Sequence, residues 1–262
     1  MLMNLSASVW NYLCAYGDNA DLAEAVGGIC ELGLGVELWL NWWADPSAVE
    51  PDQWSEIGKM LDGVHVSVHT AMKKWDSEMF RNEVEMAAFL GASVLVVHPN
   101  SLDLVPADGT SLDMQPCILA ADYASSEGVV LALENLPEPG SIDVVRQALD
   151  ASPRLRACID MAHAYVAHYD IAEAVRLLGR KVVHIHVSDN MGDRDEHLIP
   201  GEGGIPEEAW VRAFAELAKL DYPGSIVMEL RCYEPKRAAI AAESFLRKIA
   251  QQAGLEGSSN TT

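Results

Sequence analysis

The chain has 262 residues, half of them hydrophobic and 22% charged, which is enough material for a sizeable buried core. Thirty-nine acidic residues against 18 basic ones leave a formal charge of −21. A surface that acidic repels polyphosphates and disfavours both nucleic acid and anionic membranes as partners.

No run approaches the ~20 apolar residues of a membrane span. The start, Met1 to Leu5, lacks the basic-then-apolar order of a secretory leader. The cysteines (Cys14, Cys30, Cys117, Cys158, Cys232) are scattered, odd in number and form no CxxC. Reduced thiols in a cytoplasmic protein are the expectation. Only seven of the 18 cations are lysine, a balance that also suits a saline habitat.

In chain order, Leu5–Trp10 reads as a strand and Asp21–Leu32 as a helix. Strand Gly35–Leu40 and helix Asp52–Leu61 follow, then strand Val64–His69 and helix Ser77–Leu90. Asp76-Ser77 opens that helix and Leu90-Gly91 closes it. Strand Ser93–His98 leads to helix Gln115–Glu127, and strand Val129–Glu134 to helix Ser141–Ala151. Strand Arg156–Asp160 leads to helix Ile171–Leu178, strand Val182–Val187 to helix Glu207–Leu220, and strand Ser225–Glu229 to helix Pro235–Gln252. Eight strand–helix pairs over this length predict a (β/α)₈ TIM barrel. A doubly wound sheet is the rival, but no GxGxxG or GxxxxGK[ST] is present. Residues 1–253 are expected to form one domain. The small polar run at 254–262 is expected to be a disordered tail.

The strands end on chemistry. Apolar runs close on His69, His98, Glu134, Asp160 and Glu229, and one reaches His186 near its end. In a barrel these carboxyl ends converge on the face where active sites are built. Val130, Ala132 and Glu134 share one strand face, as do Ser225, Val227 and Glu229, with small residues beneath the polar tip. A lone His at a strand end is more often a hydrogen-bonded loop residue than a ligand; six ionisable groups on one rim are harder to dismiss. Carboxylates sharing a cavity repel and protonate unless a cation joins them. Mixed imidazole and carboxylate suits Zn²⁺ or Mn²⁺. Two loops add His163, in Asp160-Met161-Ala162-His163, and the alternating Asp195 and His197. Blander roles fit other residues: Cys158, His184 and His65 as core side chains, His168 as a surface residue.

The motifs SVHTA, LVVHPN, LALENLP, CIDMAH, HIHVSDN, DEHLIPGEGGIP and IVMELR, in this order, resemble the xylose isomerase-like TIM-barrel superfamily over residues ~5 to 250. That superfamily holds sugar isomerases and epimerases of carbohydrate metabolism and the endonuclease IV type of abasic-site nuclease. The resemblance implies a four-ligand metal site at Glu134, Asp160, His186 and Glu229. It further implies that His69 and His98, with Glu134 bridging, match one zinc site of the nuclease branch, and His163, Asp195 and His197 another. One divalent ion, or up to three, is therefore implied.

In an isomerase or epimerase, the ion would polarise the carbonyl of a small ketose, inosose or related keto-polyol. One of Glu134 and Glu229 would remove the proton beside that carbonyl and the other would return it, with His163 holding a substrate oxygen. Trp10, Trp42, Trp43 and Trp75 lie near the loops and would either stack on sugar or pack the lid. A multinuclear zinc phosphodiesterase is the alternative, set back by few cations near the rim: Lys73, Lys74, Arg194 and Arg231. A keto-sugar lyase or dehydratase, or a sugar-binding protein without catalysis, fits the same scaffold. The resemblance also implies homo-oligomers, with no interface readable in the sequence.

Overall fold

Why the β-branched runs become strands is visible in the layers they separate. Leu131, Leu133, Ala157, Ile159, Ile185, Val187, Ile226 and Met228 point outward into one continuous core shared with the helices. Val94, Val96, Ala132 and Cys158 form a separate small cluster inside the ring, with Val183 against it. The apolar outward face is what a parallel sheet under helices demands; the other face is apolar only in part, with Ser6, Ser8, Glu37, Ser67, His184 and Ser225 buried as polar residues.

The computed structural model describes residues 3–39, 51–104 and 112–255. Eight strands run as β1 (Asn4–Ser8), β2 (Gly35–Trp39), β3 (Val66–His69), β4 (Val94–Val97), β5 (Val130–Glu134), β6 (Arg156–Asp160), β7 (Val182–Val187) and β8 (Ser225–Met228). They close in sequence order into one barrel. Every pairing is parallel, and β8 returns to β1 through Leu5↔Ile226 and its neighbours. The described helices are α1 (Trp10–Tyr16), α2 (Leu22–Cys30), α3 (Pro51–Met60), α4 (Ser77–Phe89), α5 (Gln115–Ser126), α6 (Ser141–Ala151), α7 (Met161–Val166), α8 (Ile171–Leu178), α9 (Glu207–Lys219) and α10 (Pro235–Ala253). The chain is thus the (β/α)₈ TIM barrel that its alternation predicts. Among the described residues, no helix is long and apolar enough to cross a membrane.

Several boundaries differ from the sequence reading. β1 stops at Ser8, and Trp10 opens α1, a helix not read in advance. It has seven residues, about two turns, and no side-chain cap, so its periodicity is short and it carries no start signal. α7 was also missed; its six residues hang on the Asp160 carboxylate, which caps them from the preceding strand. β3 begins at Val66, which leaves His65 exposed at the barrel's amino end instead of in the core. β4 stops at Val97 because Pro99 has no N–H for the ladder, and His98 instead caps a short 3₁₀ turn. β8 stops at Met228, one residue before Glu229. Trp42, Trp43 and residues 256–262 of the expected tail lie outside the described residues.

Candidate metal centre

Glu134 is the hub. It ends β5, is fully buried, and meets four histidines. Its Oε2 lies 3.1 Å from Nε2 of His69 and 3.1 Å from Nε2 of His98. Its Oε1 lies 2.9 Å from Nδ1 of His186 and 3.6 Å from Nδ1 of His163. Parallel register delivers these groups together, since His69 closes β3, His98 follows β4 and His186 lies on β7. Trp39 stacks on the His69 ring at 4.4 Å and 16°, which fixes that imidazole from the side.

The second group stands beside the first. Asp160 spends Oδ1 on capping α7, accepting from the His163 backbone N–H at 2.6 Å. That cap turns the His163 ring back to the rim, where Nε2 lies 3.2 Å from Oδ2 of Asp195. Nε2 of His197 is 2.7 Å from the same oxygen. Glu229 reaches to 3.5 Å from Nδ1 of His186. All nine residues singled out from the sequence therefore gather at the carboxyl ends of the strands.

The protons in this ring decide what fits it. Nδ1 of His69 donates to the Thr70 carbonyl at 2.7 Å, Nδ1 of His163 to the Asn135 carbonyl at 2.9 Å, and Nδ1 of His197 to the Glu229 carbonyl at 3.1 Å. A neutral imidazole has one N–H. Each of these rings, when neutral, thus aims a lone pair at a carboxylate: His69 at Glu134, His163 and His197 at Asp195. Lone pair facing carboxylate is repulsive unless a cation or an added proton lies between. In addition, Oδ2 of Asp160, Oε1 of Glu229 and Oδ1 of Asp195 are buried with no hydrogen-bond donor. Such orphaned acceptors fit a divalent ion bound by N and O ligands.

Among the described residues, the groups whose ligand atoms lie close enough for one ion include His69–His98–Glu134 and His163–Asp195–His197, as well as Glu134–Cys158–His186 and Glu37–His184–His186. Another, His69–His186–Glu229, overlaps the first.

The electrostatics record the same crowding. Burial pushes Glu134 up, but the charge and hydrogen bond of His186, with His98, outweigh it and hold the carboxyl well below its usual range. Burial raises Glu229 to about 8, assisted by the charges of Glu37 and Glu134. Asp160 is raised by burial and by the neighbouring Glu134 and Asp195. His163 is held well above its usual value, because Asp160, Asp195 and Glu134 overcome its burial. Asp195 is pulled down despite burial by hydrogen bonds from His163 and His197.

Three residues that shape the site were missed in the sequence. Glu37 on β2 is fully buried beneath His186. A single Glu inside the apolar run Val36-Glu37-Leu38 was the available signal. Glu83 on α4 reaches the loop after His69, accepting from Thr70 Oγ1 at 2.6 Å and the Ala71 N–H at 3.0 Å. Asp189, after β7, gathers the backbone N–H groups of Asn190, Gly201 and Ile205 at 2.8, 2.9 and 3.1 Å. It folds the loop that carries Asp195 and His197. A Cβ at Gly203 would collide with the Asp189 carboxylate, so the glycine there is required by close approach. His184 is the hydrogen-bonded core histidine expected of it, 2.8 Å from Glu37.

The flanks of the ring hold aromatic rings and cations. Trp10 lies 4.6 Å from His197, and the Arg231 guanidinium sits 5.8 Å over its indole. Trp75 instead packs on Phe80 at 5.3 Å, away from the ring. A cleft of about 470 Å³ opens beside Asp195, lined by Cys14, Arg194, Arg231 and Tyr233 among others.

Comparison with known proteins places this geometry. A family model described as a xylose isomerase-like TIM barrel matches residues 35–249. Fructoselysine 3-epimerase of Escherichia coli O157:H7 is 33% identical over 117 residues, 42% of this chain and 41% of that protein. A probable endonuclease 4 of Thermoplasma acidophilum is 28% identical over 151 residues, 50% of this chain and 52% of that protein. These alignments therefore span about half the length of the curated relatives or less. Among solved structures, a D-tagatose 3-epimerase-like protein superposes with a TM-score of 0.75 at 21% identity, covering 97% of this chain and 99% of that one.

Proposed function

The chain belongs to the xylose isomerase-like TIM-barrel family, and from that premise we propose a divalent-metal-dependent sugar isomerase or epimerase. Its substrate would be a small ketose, inosose or related keto-polyol. The observation that carries this reading is a pair of buried carboxyls, Glu134 and Glu229, that both approach one imidazole nitrogen. Nδ1 of His186 stands 2.9 Å from the first and 3.5 Å from the second. Glu134, Asp160, His186 and Glu229 would hold the ion, Zn²⁺ or Mn²⁺. When bound, the ion polarises a substrate carbonyl and the hydroxyl beside it.

One of Glu134 and Glu229 removes the proton next to the carbonyl, and the other returns it to the opposite face. His163, donating from Nδ1 to Asn135 and aimed by the Asp160 cap, offers its other nitrogen to a substrate oxygen. Trp10 and Trp39, 6.3 Å apart, give the rim an apolar wall suited to a sugar's C–H face. The similarity to a fructoselysine 3-epimerase supports the same class. Incubation of a ketose panel with the metal-loaded protein in D₂O is the test. Deuterium at the carbon beside the carbonyl is the expected result; no exchange across the panel would turn the reading toward elimination or hydrolysis.

One observation favours a second reading. The triads His69–His98–Glu134 and His163–Asp195–His197 are each ready for an ion, as a multinuclear zinc phosphodiesterase requires. Against it stands the formal charge of −21. Of the rim cations, Arg194 is already paired with Glu196 at 2.9 Å. Incision of an abasic duplex at physiological salt would reverse the order of the two readings.

A further inference from the structure

Directly below the Glu134 ring lies another carboxylate, and it is not solvated. Glu37 has no exposed surface, and neither do its three partners, Ser67, His184 and His186. Ser67 Oγ donates to Glu37 Oε2 at 3.1 Å, and His184 Nε2 donates to the same oxygen at 2.8 Å. His186 Nε2 straddles the carboxylate, 3.3 Å from each oxygen. All three hydrogen bonds fall on Oε2; Oε1 of Glu37 has no hydrogen-bond donor and only the ion-pair approach of His186 Nε2. An ionised carboxylate only accepts, so the nitrogen facing it must carry the hydrogen. Burying such a charge is costly unless several donors meet it, and here they do.

We propose that Glu37, braced by Ser67 and His184, is a positioning residue that fixes the Nε2–H tautomer of His186 and so presents Nδ1 of that ring to a divalent ion at the barrel mouth. The inference rests on the metal-dependent reading above. His69, His163 and His197 also spend one ring N–H inside the protein, but on backbone carbonyls. His186 differs from them in using a side-chain carboxylate, a stronger acceptor that both orients the ring and makes its free nitrogen more basic. That difference also makes the device accessible to substitution. The β2 register supports the arrangement, since Glu37 pairs with Ser67 across β2–β3 and both face the barrel axis.

The test uses the full chain stripped with EDTA and titrated calorimetrically with Mn²⁺ alone and Zn²⁺ alone. Glu37→Gln keeps the side chain's size and loses its charge. It is expected to weaken binding about 10–100-fold, the usual effect of losing an outer-shell partner. Binding by wild type with an equal affinity in Glu37→Gln overturns this inference and leaves the proposed function standing. A wild type that takes up neither ion removes the metal reading, and this inference with it. If Glu37→Gln does not fold, wild-type protein labelled with ¹⁵N-histidine and loaded with Zn²⁺ decides. The expected spectrum keeps the Nε2–H of His186 and shifts Nδ1; metal on Nε2 refutes the proposal.

Discussion

Glu83 offers a test of the site's scaffold that needs no substrate. It lies on α4, has no exposed surface, and among the described residues accepts hydrogen bonds from Thr70 Oγ1 and the Ala71 N–H, at 2.6 and 3.0 Å. Burial lifts its carboxyl from the ordinary 4.5 to about 7, against the smaller pull of those two hydrogen bonds. The sign follows from linkage. A carboxyl raised in the fold holds its proton more tightly there than in the unfolded chain, so its contribution is full below about pH 4.5 and is lost as pH rises through 7. The gap between 4.5 and about 7 corresponds to about 3 kcal/mol in total. Roughly 2.5 kcal/mol of that falls between about pH 5 and pH 8.

Glu83→Gln removes the titration while an amide oxygen can still accept from Ala71. Urea unfolding of both proteins in EDTA at several pH values between 5 and 8 isolates this group, because every other titration cancels in the difference. The variant should gain about 2.5 kcal/mol on wild type across that range. A difference that stays flat to within about 0.5 kcal/mol would falsify the claim that Glu83 is buried as an acid.

Three further outcomes follow from the same geometry. Paired substitution Glu134→Gln/Glu229→Gln should cut the metal that co-purifies with the chain to about a tenth or less of wild type by elemental analysis, since both remaining oxygens become neutral amides. With free metal at about 100 times its dissociation constant, an ion adds roughly 2.7 kcal/mol, so EDTA should lower the melting temperature by about 5–10 °C; an unchanged melt argues against a bound ion. Asp189→Ala strands the N–H groups of Asn190, Gly201 and Ile205 and should cost about 3 kcal/mol or more in chemical denaturation.

Much of the barrel was legible because several strands are short apolar runs between a glycine-marked helix end and a polar stop, as at Gly91 before β4, Gly128 before β5 and Gly179 before β7. The ring was legible because His69, Glu134 and Asp160 are the last residues of their strands, where alternation leaves one choice of face. His65 shows where that logic fails. It lies four residues before His69 and shares its alternation, yet the strand begins only at Val66 and the His65 ring is left exposed, with its carbonyl alone accepting from the Val36 N–H at 2.8 Å. Period alone does not mark where a strand starts. Glu37 failed for the opposite reason: its partners come from β3 and β7, and no local pattern announces a carboxylate that three other side chains bury. The ring N–H bonds of His69, His163 and His197 were equally hidden, because their acceptors are backbone carbonyls set by loop conformation.

The charge of the site ties the number of ions to the kind of substrate. Glu37, Glu134, Asp160, Asp195 and Glu229 place five carboxyls in and under one mouth. Six of the chain's eight histidines surround them, leaving only His65 and His168 exposed. As metal ligands must be deprotonated, the five acids in an ion-bound site hold five negative charges and the imidazoles none. One divalent ion leaves three of them uncompensated, and three ions leave a single positive charge. A phosphodiester would meet net repulsion in the first case and attraction in the second, with the −21 surface opposing its approach in both. A neutral keto-sugar has no such difficulty with a negative centre, because it needs one polarising cation and a base beside it. The one-ion site and the sugar substrate therefore support each other, and the three-ion site would have to overcome the rest of the molecule.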